Sequence, residues 1–236
     1  MQLRFRPTRR AARGYALAEL LLATVIIGYV TVYQVLPAIR EQQRDTRATA
    51  VADSQVSFQQ LATTYFYANE SALRSAMNDG TSAGTYCRLG VDYAAADPSI
   101  TGLQVNSTTN HTCAIDMALL KWKGIAPTTM LEVNPWGQRW VAIYKMGTSA
   151  ASVSLQTVEM LSLGVVNVTG ITDYAPGGNA QTETELLLRA ATKVGASGGY
   201  VPNGDVGLCD YTVATSKYEA CSSQGQWKVD VSTFVN

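Results

Sequence analysis

The sequence predicts an α+β protein, with one long kinked N-terminal helix packed on a head domain built around an antiparallel sheet. Three observations predict it. An apolar run over residues 15–39 passes without a turn signal into a segment whose apolar residues recur at helical spacing. Pro37 lies inside that helical stretch, where it removes a backbone donor and crowds the preceding turn. Strand-like runs separated by Gly, Pro and Asn then dominate the chain from residue 128 onward.

The N-terminal helix is expected over residues 15–76. Beyond Pro37, Val51, Phe58, Leu61 and Tyr65 fall at spacings of seven, three and four and form one apolar stripe for the head to cover. At 1.5 Å per residue the whole helix would span about 90 Å. Its first half is apolar enough for a membrane or a packed core. The charged stretch from Arg40 to Asp45 separates that half from the stripe.

The head is expected over residues 77–236. Residues 77–112 read as loop because turn residues recur through them, including Asn78-Asp79-Gly80, Gly84, Gly90 and Asp97-Pro98. Residues 114–123 read as a short helix with Ile115, Leu119 and Trp122 on one face. Runs at 130–133 and 139–144 flank Asn134-Pro135-Trp136-Gly137 and read as a hairpin. Two further strands are expected at 153–158 and 161–168, then a break at 173–179. A helix follows at 182–194, with Gln181 or Thr182 placed to start it and Gly195 placed to end it. Residues 198–202 form a short extended piece, and 211–213 and 227–231 are the last strand candidates.

Charge is unevenly placed. The first 14 residues hold five arginines and no acid, so the rest of the chain has 13 basic and 18 acidic residues, a net of −5. A mildly acidic body argues against nucleic acid as a partner. The basic leader should stay cytoplasmic, with the remainder of the chain facing outward. The four cysteines, Cys87, Cys113, Cys209 and Cys221, include no C-x-x-C pair. With His111 the only histidine, they do not make a usual zinc site. In an exported domain they favour disulfides. Three pairings are open, and the local loops favour Cys87–Cys113 and Cys209–Cys221 over the alternatives, including free thiols.

The residues that carry chemistry sit at the start. Gly14 precedes Tyr15, and Glu19, the fifth residue after the glycine, is the one charge in residues 15–39. A carboxylate at mid-bilayer costs about 3 kcal/mol and calls for a partner. A cut between Gly14 and Tyr15 would free an α-amine one helical turn before Glu19. An ordinary secretory signal would instead need a small-residue site soon after the apolar run. Ala48-Thr49-Ala50 has that pattern, but Arg40, Glu41, Arg44 and Asp45 intervene. A plain single-pass anchor fits the length and gives no reason for Gly14 or Glu19.

Glycine, hydrophobe, acid and apolar run in this register resemble the type IV prepilin processing site. The resemblance implies a pilin-like fold and a leader over residues 1–14, removed by a prepilin peptidase. It also implies N-methylation of Tyr15, a role for Glu19 in assembly, a kink at Pro37, and a helix that first sits in the inner membrane and then packs against other pilin subunits. The precursor's head would be periplasmic and the assembled subunit extracellular.

A narrower resemblance links Asn134-Pro135-Trp136-Gly137-Gln138, the segment from Ala190 to Pro202, and the closing Cys221 to Val229 to the constant region of PilV-type minor pilins of conjugative thin pili, a type IVb class. It implies a minor subunit of a fimbrium active in conjugation and cell adhesion, with the recipient-cell surface as a partner. In that family a variable C-terminal segment recognises surface sugars. Here the sequence stops soon after Trp227, and that segment is expected to be missing. The alternative functions are a secretion-system pseudopilin or a membrane-tethered, exported sugar-binding protein.

No enzyme, catalytic residue, metal site or cofactor is expected. His111 is a lone loop histidine, and the Gly195-Ala196-Ser197-Gly198-Gly199 run follows a helix, whereas a phosphate loop would open one. Glu183, Glu185, Asp205 and Asp210 have no metal-ligand spacing. Trp122, Trp136, Trp140 and Trp227 read as packing residues, with a sugar-binding surface as the competing reading.

Overall fold

The computed structural model describes residues 9–97, 101–148, 153–166, 180–201, 219–223, 225–230 and 234. The chain has a long N-terminal helical region followed by antiparallel sheets, an α+β arrangement. It divides into two compact units, Met1–Thr46 and Arg47–Asn236.

In the first unit, helix α1 (Arg9–Val30) leads through a π turn (Thr31–Val35) into helix α2 (Leu36–Ala68), which continues into the second unit. The π turn has a local cause. Pro37 has no N–H to donate, and its ring presses on the carbonyl one turn back, that of Tyr33. Hydrogen bonding widens just before it, with the Leu36 N–H donating to the Thr31 carbonyl five residues earlier. Thr31 also donates its hydroxyl to the Ile27 carbonyl at 2.8 Å.

In the second unit the helical stripe is covered. Val51, Phe58 and Tyr65 are buried and Leu61 packs beside them. The helix does not run unbroken to residue 76. It ends at Ala68, and α3 (Glu70–Asn78) starts afresh. Asn69 causes the break: its backbone leaves helical geometry (φ −129°, ψ 23°), and its side-chain amide donates to the Tyr65 carbonyl at 3.0 Å.

Residues 77–112, expected as loop, contain a single helical turn α4 (Ala83–Tyr86) and the two-residue strands β1 (Arg88–Leu89), β2 (Leu103–Gln104) and β3 (Asn106–Ser107). Strand β4 (Thr112–Asp116) and helix α5 (Met117–Trp122) replace the helix expected at 114–123. The switch falls at Asp116, whose extended backbone ends the strand and whose carboxylate caps α5 by accepting the Leu119 N–H at 3.0 Å.

The expected strand at 130–133 reduces to a single bridge, Val133 to Arg139. The turn between them is held by Asn134, whose side-chain oxygen accepts the N–H groups of Trp136 and Gln138. Strand β5 (Arg139–Met146) extends the expected 139–144 run. The expected pair at 153–158 and 161–168 resolves into a 3-10 turn (Val153–Leu155) and one strand, β6 (Val158–Val165).

Strands β3, β4, β5 and β6 form an antiparallel sheet in sequence order. Its register places Asp116 opposite Val141 and Arg139 opposite Val165. Alternation along β5 divides the core. Trp140, Ala142, Tyr144 and Met146 join Phe58, Ala62 and Tyr65 of α2 and Leu73 and Met77 of α3. Val141 and Ile143 join Leu163, Val165, Ala220 and Phe234 on the other face. Hydrogen bonds pin α2 to its face: Tyr144 donates its hydroxyl to the Ala62 carbonyl at 2.7 Å, Gln59 donates to Ser162 Oγ at 2.8 Å, and Trp140 donates to Ser54 Oγ at 3.2 Å. Phe58 stacks on Trp140 with ring centroids 6.4 Å apart.

Helix α6 (Ala180–Val194) stops at Gly195, whose φ of 91° suits glycine and whose N–H donates to the Ala191 carbonyl. A three-stranded antiparallel sheet follows, made of β7 (Gly199–Tyr200), β8 (Glu219–Ser222) and β9 (Lys228–Asp230), besides the two-stranded β1–β2 pair. Strand β8 was not expected. The expected strand at 211–213 lies outside the described residues.

Candidate functional site

The N-terminal segment is built on α1 and the start of α2. Gly14 and Tyr15 lie within α1, and Glu19 follows Tyr15 by one turn. Every side chain in residues 17–47 is exposed, and Ala48 is the first buried residue among those described. The exposed set is strongly apolar. Leu20, Leu22, Val25 and Ile27 each leave about two thirds of their surface open, and Tyr29 and Tyr33 contact each other with ring centroids 4.6 Å apart. Glu19 is the single charged residue of the sequence from 15 to 39, and the helix is long and apolar enough to cross a membrane. A soluble protein rarely leaves so large an apolar surface uncovered, and a segment of this length and composition suits a membrane anchor or a signal sequence.

Cys87 and Cys113 form a disulfide with Cα atoms 5.2 Å apart, joining the segment after α4 to strand β4. The pairing expected between Cys209 and Cys221 involves Cys209, which lies outside the described residues. Around the disulfide, the loop from 88 to 104 is held by Arg88. Its buried guanidinium donates to the carbonyls of Thr101 at 3.1 Å, Gly84 at 3.3 Å and Gly102 at 2.7 Å. Gly102 sits at φ 77°, and a Cβ there would collide with the Leu89 carbonyl.

His111 occupies the turn between β3 and β4 at φ 54°. Its Nδ1 lies 3.1 Å from the Met77 carbonyl, an acceptor only, so that nitrogen carries the proton and ties the turn to α3. Glu185 pairs with Arg189 on the surface of α6 at 2.7 Å. Asp205 and Asp210 lie outside the described residues. Among the described residues, no group of three or more His, Cys, Asp or Glu side chains converges as a metal site.

Asp116 is a buried acid that sequence reasoning did not single out. Its Oδ2 accepts the Gly90 N–H at 2.6 Å while Oδ1 caps α5. Burial pushes its pKa up to about 6, against the pull of those two backbone donors; Glu132 nearby raises it further and Arg139 lowers it. Beside it, Glu132 pairs with buried Lys121 at 3.2 Å and with Arg139 at 3.7 Å. The available signal was an Asp immediately before the apolar run Met117-Ala118-Leu119-Leu120, a helix-start pattern.

The tryptophans separate by role. Trp122 donates to the Ala95 carbonyl at 2.8 Å, and the Lys123 ammonium lies over its ring and that of Tyr86. Trp140 is buried in the core. Trp136, Trp140 and Trp227 also meet at a cleft of about 380 Å3 between α2, β6, α6 and the β7–β8–β9 sheet. Gln55 and Gln59 of α2, Gln138, Ser162 of β6 and Ser197 are polar residues of its lining. Two glycines let its walls close up. A Cβ on Gly164 would lie 3.0 Å from the Trp140 ring, and one on Gly199 would collide with the Trp227 ring.

Comparison with known proteins finds no matching family model, no matching curated protein and no matching solved structure.

Proposed function

We propose that this chain is a type IV pilin-like subunit, a minor pilin of the PilV kind, that enters a filament through its N-terminal helix. The observation that carries the reading is the fully exposed apolar segment whose single charge, Glu19, stands five residues after Gly14. Before assembly a membrane covers the apolar surface. After assembly, helices of neighbouring subunits cover it. Cleavage after Gly14 leaves the α-amine of Tyr15 one turn from Glu19, as a cation for a carboxylate otherwise surrounded by Leu, Val and Ile. The α+β head, stapled by Cys87–Cys113, suits an oxidising compartment outside the cytoplasm. Contact with a recipient cell in conjugation belongs to the same proposal.

The test is the mature N-terminus. Expressed with a prepilin peptidase, the wild-type chain should begin at methylated Tyr15 by mass spectrometry, and Gly14→Val should accumulate as full-length precursor in the membrane. A mature chain starting at Val51 or Asp53 would mean a conventional signal sequence and would overturn the proposal.

A further inference from the structure

We propose that the free edge of β6 takes up an extended, uncharged peptide segment of another protein as an added strand, seated in the head cleft. The proposal rests on the geometry of the sheet and does not depend on the filament reading. β6 is the last strand of its sheet and pairs with β5 on one side only. Register fixes which way its backbone groups point. The Gly147 N–H donates to the Thr157 carbonyl, and on the other side of β5 the Met146 N–H donates to the His111 carbonyl. Antiparallel pairing alternates from there. Glu159, Leu161, Leu163 and Val165 therefore exchange bonds with β5, while the N–H and C=O groups of Val158, Met160, Ser162 and Gly164 point away from it. Among the described residues, no backbone group pairs with that outer row. Met160 and Gly164 stay partly exposed. An unpaired row of this kind is a template for one more strand.

The cleft runs along this edge. Residues 160–164 line it without interruption, over ~13 Å at strand rise. On one face of the sheet, Val51, Gln55 and Gln59 follow one another by a helical turn along α2 and line it over ~12 Å. On the other face, Val201, Ala220 and Trp227 line it. β7, whose Gly199 also borders the cleft, is itself an edge strand. Walls on both faces admit a single strand and exclude the edge of a second folded sheet, so the occupant is a flexible segment. A guest without a peptide backbone would leave the row of donors and acceptors unpaired. No charged side chain lines the cleft among the described residues, so a charged side chain would lose its hydration there without a counter-charge. A second copy of this chain is a poor source. Among the described residues, its edge strands other than β6 are two residues long or carry Lys228 and Asp230.

The experiment uses the full chain in polyoxyethylene-ether micelles. The probe is a library of acetylated, amidated hexapeptides built from Val, Ile, Thr, Ser and Tyr, screened by affinity selection and titrated singly against tryptophan emission. At least one peptide should saturate the protein at or below about 1 mM. Its analogue methylated at every backbone nitrogen, and its analogue with alternate side chains changed to Lys and Glu, should bind at least tenfold more weakly. Amide exchange in the free chain should be fast at Met160, Ser162 and Gly164 and slow at Leu161 and Leu163, and the peptide should slow the first three. Met160→Pro removes an outward N–H that β5 does not use, so the sheet keeps its own bonds. It should weaken binding about tenfold or more, for one hydrogen bond lost and its partner left unpaired. Met160→Leu keeps the N–H and should bind like wild type. The proposal falls if no library member saturates, if the methylated or the charged analogue binds as well, or if Met160→Pro folds and binds like wild type. If Met160→Pro fails to fold, the methylated analogue and the exchange pattern decide. Protected amides at Met160, Ser162 and Gly164 in the free monomer would show the chain filling its own edge. Dimerisation that Met160→Pro abolishes would name a second copy as the occupant. Either result overturns the proposal.

Discussion

Replacing Asp116 by Asn should remove a pH dependence that the wild-type head carries. The carboxyl is buried and holds its proton up to about pH 6, compared with an ordinary aspartate value of 3.8. A group that binds its proton more tightly when folded contributes most stability below its unfolded pKa. That contribution fades as pH rises through the folded value. The difference between 3.8 and about 6 corresponds to about 3 kcal/mol, full below about pH 3, lost as pH rises through the folded value and nearly gone at pH 7. Asn cannot titrate, so the variant lacks the loss. It also offers one acceptor oxygen where two backbone N–H groups converge, from Gly90 and Leu119, which adds a pH-independent penalty of about 1–3 kcal/mol. The test therefore lies in the slope of the difference and not in its offset. Urea unfolding followed by tryptophan emission suits the purpose, because all four tryptophans lie in the Arg47–Asn236 unit. From pH 3 to 7, wild type should lose about 3 kcal/mol relative to Asp116→Asn. A difference that stays flat across that interval would refute the assignment of a raised pKa to this carboxyl.

Two further outcomes follow from other parts of the chain. Glu19→Ala should leave membrane insertion and cleavage after Gly14 intact while lowering recovery in sheared filaments on the order of a hundredfold or more, because an amine left without its buried partner costs about 3–5 kcal/mol. Wild-type recovery in the filament fraction would remove Glu19 from the assembly mechanism. Replacing Cys87 and Cys113 together by Ser opens a loop with a sequence separation of 26 residues and should destabilise the head by about 3–4 kcal/mol in the chain-entropy model. Unfolding midpoints of the double variant under oxidising conditions measure this, and a shift equivalent to under about 1 kcal/mol would show that Arg88 and the surrounding backbone bonds hold the loop by themselves.

Local pattern carried part of this protein by itself. The order of apolar residues in α2 set which face is buried, because helical spacing is a property of neighbours in sequence. Gly195 marked the end of α6 for the same reason, since one residue's freedom at positive φ decides a helix stop. The isolation of Glu19 in an apolar run, five residues after Gly14, was also readable directly.

Other features were decided only by tertiary contact. In β4, Cys113, Ala114 and Ile115 are all buried because the sheet is covered on both faces, so the strand lacks the alternation that would distinguish it from a helix. Strand β8 is four residues long and is defined by pairing with β7 and β9. Asn69 breaks a helix that its neighbours' propensities would have continued. Asp116 looks like any helix cap in the sequence, and its raised pKa arises from burial, which only the packed chain creates. Trp136, Trp140 and Trp227 are spread over about ninety residues of sequence, and only the packing of α2, β6, α6 and the last sheet brings them to one cleft. Periodicity reports on the face an element turns inward, whereas convergence depends on which distant elements meet there.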